Sequence, residues 1–235
     1  MITLAPLADG IMSALASLPR RGVTFDPTQV GGPPWRVDRH RDVVGHEVAG
    51  PPVPGAVWEA ACEVVRDYDF VPPELLRAAY RRGPLVGRDI LLIGHAGPVC
   101  VLMGVRVTSL VNESDATHCT WGWAYRTLEG HLQHGEVRYR VTKDLRTGEV
   151  AFAADVTWRP APELGPALRL AWTLLGRRRQ RRFYPRLGQR VRERVRARLL
   201  AGAPVTTGDL VEVPLGARWP DRFAVVVAHP AGRRA

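Results

Sequence analysis

The chain has 235 residues, of which 46% are hydrophobic, and it carries a formal net charge of +10. Its length and composition are those of a globular protein with one large domain or two small ones. We expect a cytoplasmic protein, because no window approaches the roughly 18 apolar residues of a membrane span and the N-terminal MITLAPLADG lacks a secretory signal's features.

The first 40 residues are rich in proline and glycine, so we predict an irregular lead-in with one short helix near residues 11–18, followed by a single domain over residues 41–235. Residues 43–49 are expected to form the first strand. Apolar residues at three-and-four spacing then predict a pair of amphipathic helices over residues 54–69 and 72–82.

From residue 88 the apolar period changes to that of strands, which we predict at 88–95, 98–112, 116–127, 136–144 and 149–158. Their connections are short and turn-like, so the strands are expected to form an antiparallel meander. Alternation along the last three strands places large rings on one face. These rings are those of Trp121, Trp123, Tyr125, Tyr139, Phe152 and Trp158.

The C-terminal third begins with an apolar stripe that predicts a long helix over residues 164–200. Two alternating apolar runs within residues 209–228 follow it. They indicate a closing hairpin or an added pair of edge strands.

The order of these elements resembles the helix-grip, or START-like, architecture of lipid-transfer and plant pollen-allergen proteins. We therefore expect an α+β fold in which a curved antiparallel sheet wraps on the long C-terminal helix, with an extra C-terminal hairpin. By this analogy the six rings would line an apolar ligand pocket between sheet and helix. The alternative is that they form the core beneath the helix.

The segment from Tyr125 to Tyr139, YRTLEGHLQHGEVRY, together with WRPA at 158–161, resembles the signature of uncharacterised protein family 0548, a bacterial and plant family. That family has no established reaction, so the resemblance bears on the fold more than on function. The matching residues are Tyr125, Thr127, Leu128, Gly130, His131, Gly135, Glu136, Tyr139, Arg159, Pro160, Ala161, Gln180 and Tyr184.

Within this segment, His131 is the candidate catalytic group, with Glu129 or Glu136 orienting it or shifting its pKa. The commoner role of such residues is to shape a hairpin turn. A metal site with His131 and His134 would lack a third ligand at a recognisable spacing. Because nucleotide-binding loops, nucleophile elbows and zinc spacings are missing from the sequence, we expect no metal and no cofactor.

The positive charge is concentrated between Arg177 and Arg198, where eleven arginines stand against Glu193. This excess of ten equals the whole net charge of the chain. We expect most of these arginines to be exposed on a solvated helix face, the commonest role of such a run. Contact with nucleic acid or with an anionic membrane surface is the alternative.

These features together predict binding, or cofactor-free conversion, of an apolar small molecule between sheet and helix. A conversion would be a cyclisation, dehydration or isomerisation of secondary metabolism, since one acid–base group in a shaped pocket can serve such reactions. The alternative is a non-enzymatic interaction protein that uses the arginine-rich helix. The ligand, the oligomeric state and the presence of catalysis stay open.

Overall fold

The computed structural model describes residues 2–96, 99–165, 177–202, 208–214 and 223–227. Its helices are α1 (Leu7–Ser17), α2 (Val57–Arg66) and α3 (Arg177–Ala201). Its strands are β1 (Ile2–Pro6), β2 (Arg36–His46), β3 (Leu76–Arg81), β4 (Asp89–Ala96), β5 (Val99–Ser114), β6 (His118–Thr127), β7 (Gln133–Asp144), β8 (Glu149–Pro160), β9 (Leu210–Val213) and β10 (Phe223–Val227).

The strands form one sheet in the order β2-β8-β7-β6-β5-β4-β3-β9, and each neighbouring pair in this path is antiparallel. The five strands predicted between residues 88 and 158 are confirmed as β4 to β8, joined by short turns as a meander. The predicted α+β fold, a curved antiparallel sheet with a C-terminal helix packed on it, is also confirmed. Among the described residues, no helix combines the length and apolarity needed to cross a membrane.

The N-terminal part is more regular than the sequence indicated. Residues 2–17 form β1 and α1, the helix expected near 11–18 begins at Leu7, and the first predicted strand begins at Arg36 instead of Val43. The helix predicted over residues 54–69 is confirmed as α2. The part of the C-terminal helix predicted over 166–176 lies outside the described residues.

The prediction of a second helix over residues 72–82 is wrong, because this segment contains strand β3. Ala78 and Ala79 are both fully buried, on opposite faces of the sheet: Ala78 lies in the main core and Ala79 in a second core beneath α1. A strand covered on both faces is apolar at consecutive positions, so its pattern does not differ from that of a buried helix.

The prediction of an extra C-terminal hairpin is wrong, because β9 and β10 do not pair with each other. The alternative of an added pair of edge strands holds for β9 and not for β10, which has a partner on each side. Strand β9 pairs with β3 at the edge of the sheet. Strand β10 pairs antiparallel with β1 and parallel with β5. The two tail strands therefore extend the sheet at different places.

The main hydrophobic core lies between the inner face of the sheet and the helices α2 and α3. From α3 it receives Leu187, Val191 and Val195, each at most 1% exposed. The second core lies on the outer face, where Leu15 and Leu18 pack with Leu91 and Leu102. The six rings predicted to share one face all belong to the main core, on the inner face of the sheet.

Candidate functional site: a pocket on the inner face of the sheet

The six rings predicted to share one face are all buried in the main core, together with the apolar residues of α3. This confirms the orientation predicted for the aromatic face. The structure then divides the rings into two groups, according to what covers them.

The first group, which we call the packed half, consists of Trp121, Trp123, Tyr139 and Phe152. Helix α2 closes over it: the Trp123 indole N–H donates a 3.0 Å hydrogen bond to the Val65 carbonyl, and the Arg66 guanidinium lies 5.0 Å from the Trp121 ring centre. Phe70, which follows α2, packs on Tyr139 and Phe152 at centroid distances of 4.9 and 5.3 Å. The rings of this half serve as core, not as the wall of a cavity.

The second group borders a cavity of 170 Å³, which we call the pocket. Of the six rings, only Tyr125 and Trp158 line it. The other walls come from neighbouring strands and from the N-terminal part of α3, through side chains that are mainly apolar. They include Leu76, Leu92, Met103, Val137, Val156, Phe183 and Tyr184.

His131 is a buried polar residue at the pocket, in the loop between β6 and β7. A backbone hydrogen bond of 3.1 Å from its N–H to the Leu128 carbonyl, and a φ of +83° at Gly130, form the turn that directs it inward. Its Nδ1 accepts a 3.0 Å hydrogen bond from the Gln133 N–H. Burial, with a smaller contribution from the nearby His134, lowers the pKa of His131 to about 3, so its ring is neutral at physiological pH.

The two carboxylates predicted to assist His131 lie near it, since Glu136 borders the pocket and Glu129 borders a second cavity beside His131, but both are bound to other groups. Glu136 accepts hydrogen bonds of 2.8 Å from Arg126 and 2.6 Å from Arg138, on the sheet face opposite to Tyr125 and Val137. Glu129 is exposed, and its carboxylate accepts a 3.2 Å hydrogen bond from the Gly22 N–H. Neither forms a hydrogen bond with His131 among the described residues.

A second cavity, of 320 Å³, lies against the same loop and is lined by His131, His134, Glu129 and Glu163. Its histidine His134 is 3.1 Å from Glu163 between Nε2 and Oε2, a pair that the sequence did not indicate. In the part of the chain that the structure describes, no group of three or more metal-ligating side chains is found.

Sequence reasoning missed Tyr184 as a site residue, although it is part of the family signature. Tyr184 lines the pocket, and its ring stacks on His40 at 4.3 Å with an interplanar angle of 8°. It also missed Tyr68, whose ring contacts Tyr125 and Tyr139. The apolar spacing of the helix predicted over residues 54–69 included Tyr68 as a core position, but it gave no signal for a contact with the rings of the sheet.

Of the six α3 arginines whose side chains are described, four are partly or fully buried, which is more than expected. Arg198 is 7% exposed and bridges Glu63 and Asp67 at 3.1 and 2.6 Å, and Arg194 is paired with the buried Asp69. The side chains of residues 177–182 lie outside the description. The expectation of a solvated face is therefore wrong for Arg194 and Arg198, which join α3 to α2 and to the turn that follows it.

Comparison with known proteins gives two matches at the level of sequence. A family model described as "Domain of unknown function (DUF1990)" matches residues 20–190. A UPF0548 protein of Deinococcus radiodurans is 33% identical over 169 residues, which cover 66% of this chain and 78% of the relative.

Two solved structures are similar to this chain at lower sequence identity. The Zhui aromatase/cyclase from Streptomyces sp. R1128 has 20% identity and a TM-score of 0.42, over 73% of this chain and 99% of that one. Norcoclaurine synthase of Thalictrum flavum has 11% identity and a TM-score of 0.41, over 68% of this chain and 95% of that one. At these values neither structure carries information on the activity of this chain.

Proposed function

Since the chain belongs to the family described as Domain of unknown function (DUF1990), whose name assigns no reaction, we propose from the pocket itself that the protein binds an apolar small molecule between sheet and α3. The predicted membership of uncharacterised protein family 0548 is confirmed by the D. radiodurans relative. The proposal rests on one observation, the 170 Å³ cavity with its mainly apolar walls. Burial of apolar ligand surface there would drive binding.

The size of the pocket limits what it can enclose. An apolar cavity of about 150 Å³ engineered into another protein stays dry and takes up one benzene ring. The pocket, at 170 Å³, is therefore suited to one aromatic ring or a short alkyl segment. A larger ligand would place one such part inside and the rest toward the solvent.

We propose binding without assigning a reaction to it. A cyclase, dehydratase or isomerase needs a group that exchanges protons near the operating pH, and efficient catalytic groups have a pKa close to that pH. His131 has a pKa of about 3 and is thus a weak base in the folded protein. We propose that it serves at the pocket as a neutral polar group.

The proposal can be tested by titrating the protein with toluene and following the backbone amides by NMR. We expect the shifts to concentrate around Val137, Val156 and Trp158. The variant Val137→Phe places a ring in the pocket from its own wall and should abolish these shifts. Because overpacking costs about 1–3 kcal/mol, its thermal unfolding must also be measured to show that it folds.

The matched control is Val48→Phe, the same substitution at a side chain that is 69% exposed, in the loop after β2. It should leave the toluene titration unchanged. Failure of wild-type protein to bind toluene, or equal binding by a folded Val137→Phe variant, would refute the proposed pocket.

A further inference from the structure

Tyr68 occupies a backbone position at which glycine is usually found. Helix α2 ends in a Schellman motif, in which the Tyr68 N–H bonds to the Val65 carbonyl at 3.2 Å and the Asp69 N–H bonds to the Val64 carbonyl at 3.1 Å. The residue after the cap of this motif adopts the left-handed conformation, which favours glycine. Here that residue is Tyr68, with φ +61°, the one non-glycine residue with positive φ among the described residues.

The side chain of Tyr68 explains part of this choice. Its ring packs against Phe70 at a centroid distance of 5.2 Å and against Trp123 at 5.8 Å. Such packing offsets the backbone strain, but phenylalanine would provide the same contacts. The contacts therefore account for an aromatic ring at this position and leave the hydroxyl group unexplained.

The Tyr68 hydroxyl is fully buried and has no hydrogen-bond partner of normal geometry among the described residues. The Tyr68 ring centre lies 6.4 Å from that of Tyr125 and 6.0 Å from that of Tyr139, and the three phenols influence one another's pKa. Tyr184, at the pocket, also contributes to raising the pKa of Tyr68. A buried hydroxyl without a partner destabilises a fold, so one in a native protein calls for a functional or bound partner.

Tyr125 connects this cluster to the pocket, since it belongs to the cluster and also lines the cavity. We propose that the Tyr125 hydroxyl forms the polar end of the pocket and binds a neutral acceptor oxygen of the ligand, with the hydroxyls of Tyr68 and Tyr139 behind it. Tyr125 donates to this oxygen, and Tyr68 and Tyr139 continue the hydrogen-bond chain. The inference rests on the proposed function and names the ligand class as small aryl compounds with a neutral acceptor oxygen, of which an aryl ketone is the simplest probe.

The electrostatics of the pocket select a neutral oxygen over a carboxylate. Burial raises the pKa of Tyr68, Tyr125 and Tyr139, so all three remain protonated donors at physiological pH. None of the described residues that line the pocket is an arginine or a lysine. A carboxylate would therefore lose its hydration without gaining an opposite charge, whereas a ketone oxygen needs only the hydrogen bond.

The test uses two ligands of nearly equal shape, acetophenone, which has an acceptor oxygen, and α-methylstyrene, in which a CH₂ group replaces that oxygen. Each is titrated by NMR into wild-type protein, Tyr125→Phe and Tyr68→Phe. Because the affinity of each ligand is compared between wild-type protein and a variant, the free energy of dehydrating that ligand is the same in both measurements and cancels. We expect the affinity for acetophenone to fall about threefold to tenfold in both variants, and that for α-methylstyrene to stay the same.

The control is Tyr80→Phe, which removes a hydroxyl that donates to the Asp67 carbonyl at 3.1 Å, away from the pocket. It should change neither affinity. Thermal unfolding of the ligand-free Tyr68→Phe variant should be unchanged or shifted upward, because the hydroxyl it removes has no hydrogen-bond partner of normal geometry among the described residues.

Two outcomes separate this inference from the proposed function. If α-methylstyrene binds and the ratio of the two affinities is the same in wild-type protein, Tyr125→Phe and Tyr68→Phe, the polar end is refuted and the apolar pocket stands. If neither ligand binds wild-type protein, both are refuted.

Discussion

The packed half and the pocket are neighbouring parts of one sheet face, with the same alternation of apolar side chains and the same kind of rings. They differ in what covers them. Over the packed half lie α2 and Phe70, with the Trp123 indole bonded to the α2 backbone. Over the pocket lie Phe183 and Tyr184 of α3, and a cavity of 170 Å³ remains. A ring's role is thus decided by the element opposite it and not by its strand.

Truncation of the central ring of the packed half should give the largest effect. Trp123 is 1% exposed and touches Tyr68, Tyr125 and Tyr139. Trp123→Ala should lower the free energy of unfolding by about 3–5 kcal/mol, because it leaves a cavity in the core and removes the hydrogen bond from the indole to the Val65 carbonyl. Chemical denaturation measures this loss.

The corresponding truncation in the pocket, Val137→Ala, should cost clearly less, about 1 kcal/mol, because the removed methyl groups already border empty space. If the two variants were equally destabilised, relative to the volume removed, the distinction between a packed and an open half would be wrong.

The contacts that hold α2 and α3 together should give the next effect. Arg198 is buried between Glu63 and Asp67, so Arg198→Gln should cost about 1.5–3 kcal/mol, in the range of hydrogen bonds to charged groups. Arg196→Gln, on the exposed side of the same helix, should stay within about 0.5 kcal/mol. Urea denaturation of both variants measures the difference. Equal stability of the two would restore the expectation of a solvated arginine face.

His131, at the pocket, should make the free energy of unfolding depend on pH. The unfolded chain binds a proton at the ordinary pKa of 6.5, and the folded protein binds it only at about 3. Between these values acid favours the unfolded chain, so stability falls as pH decreases below 6.5. At pH 5 the contribution is about 2 kcal/mol.

The variant His131→Asn should remove this part of the pH dependence, whatever its stability at neutral pH. Thermal or urea unfolding across the range from about pH 4 to about pH 8 measures it. A stability profile that is parallel to that of the wild-type protein would show that His131 is not buried as a neutral ring.

The sequence predicted the parts of the fold that repeat a simple period. Strands β6 to β8 alternate, β4 is a short continuous apolar run bounded by turn-forming residues, and α2 has a strong apolar stripe, so local pattern and final structure agree. Strand β3 was mistaken for a helix because Ala78 and Ala79 are buried on opposite faces, by the main core and by α1. The spacing of apolar residues along the chain does not show which strands will be buried on both faces of the sheet.

The site was predictable only in part, for the same reason. Alternation placed Tyr125 and Trp158 on the inner face, and the turn signals placed His131 in a loop that can reach it. What local pattern could not show was that Glu136 faces two arginines across the sheet, or that Tyr68 enters the cluster from the end of α2. These contacts join residues that are distant in the chain or on opposite faces, and depend on the assembled sheet.

The most direct test of the central claim is a crystal structure of the wild-type protein grown or soaked with toluene, beside one of Val137→Phe treated in the same way. The pocket predicts ligand density between Val137, Val156 and Trp158 in the wild-type protein, and the introduced phenylalanine ring in that place in the variant. The contrary result would be a wild-type structure in which Tyr125, Trp158 and Tyr184 close together and leave no space for a ring.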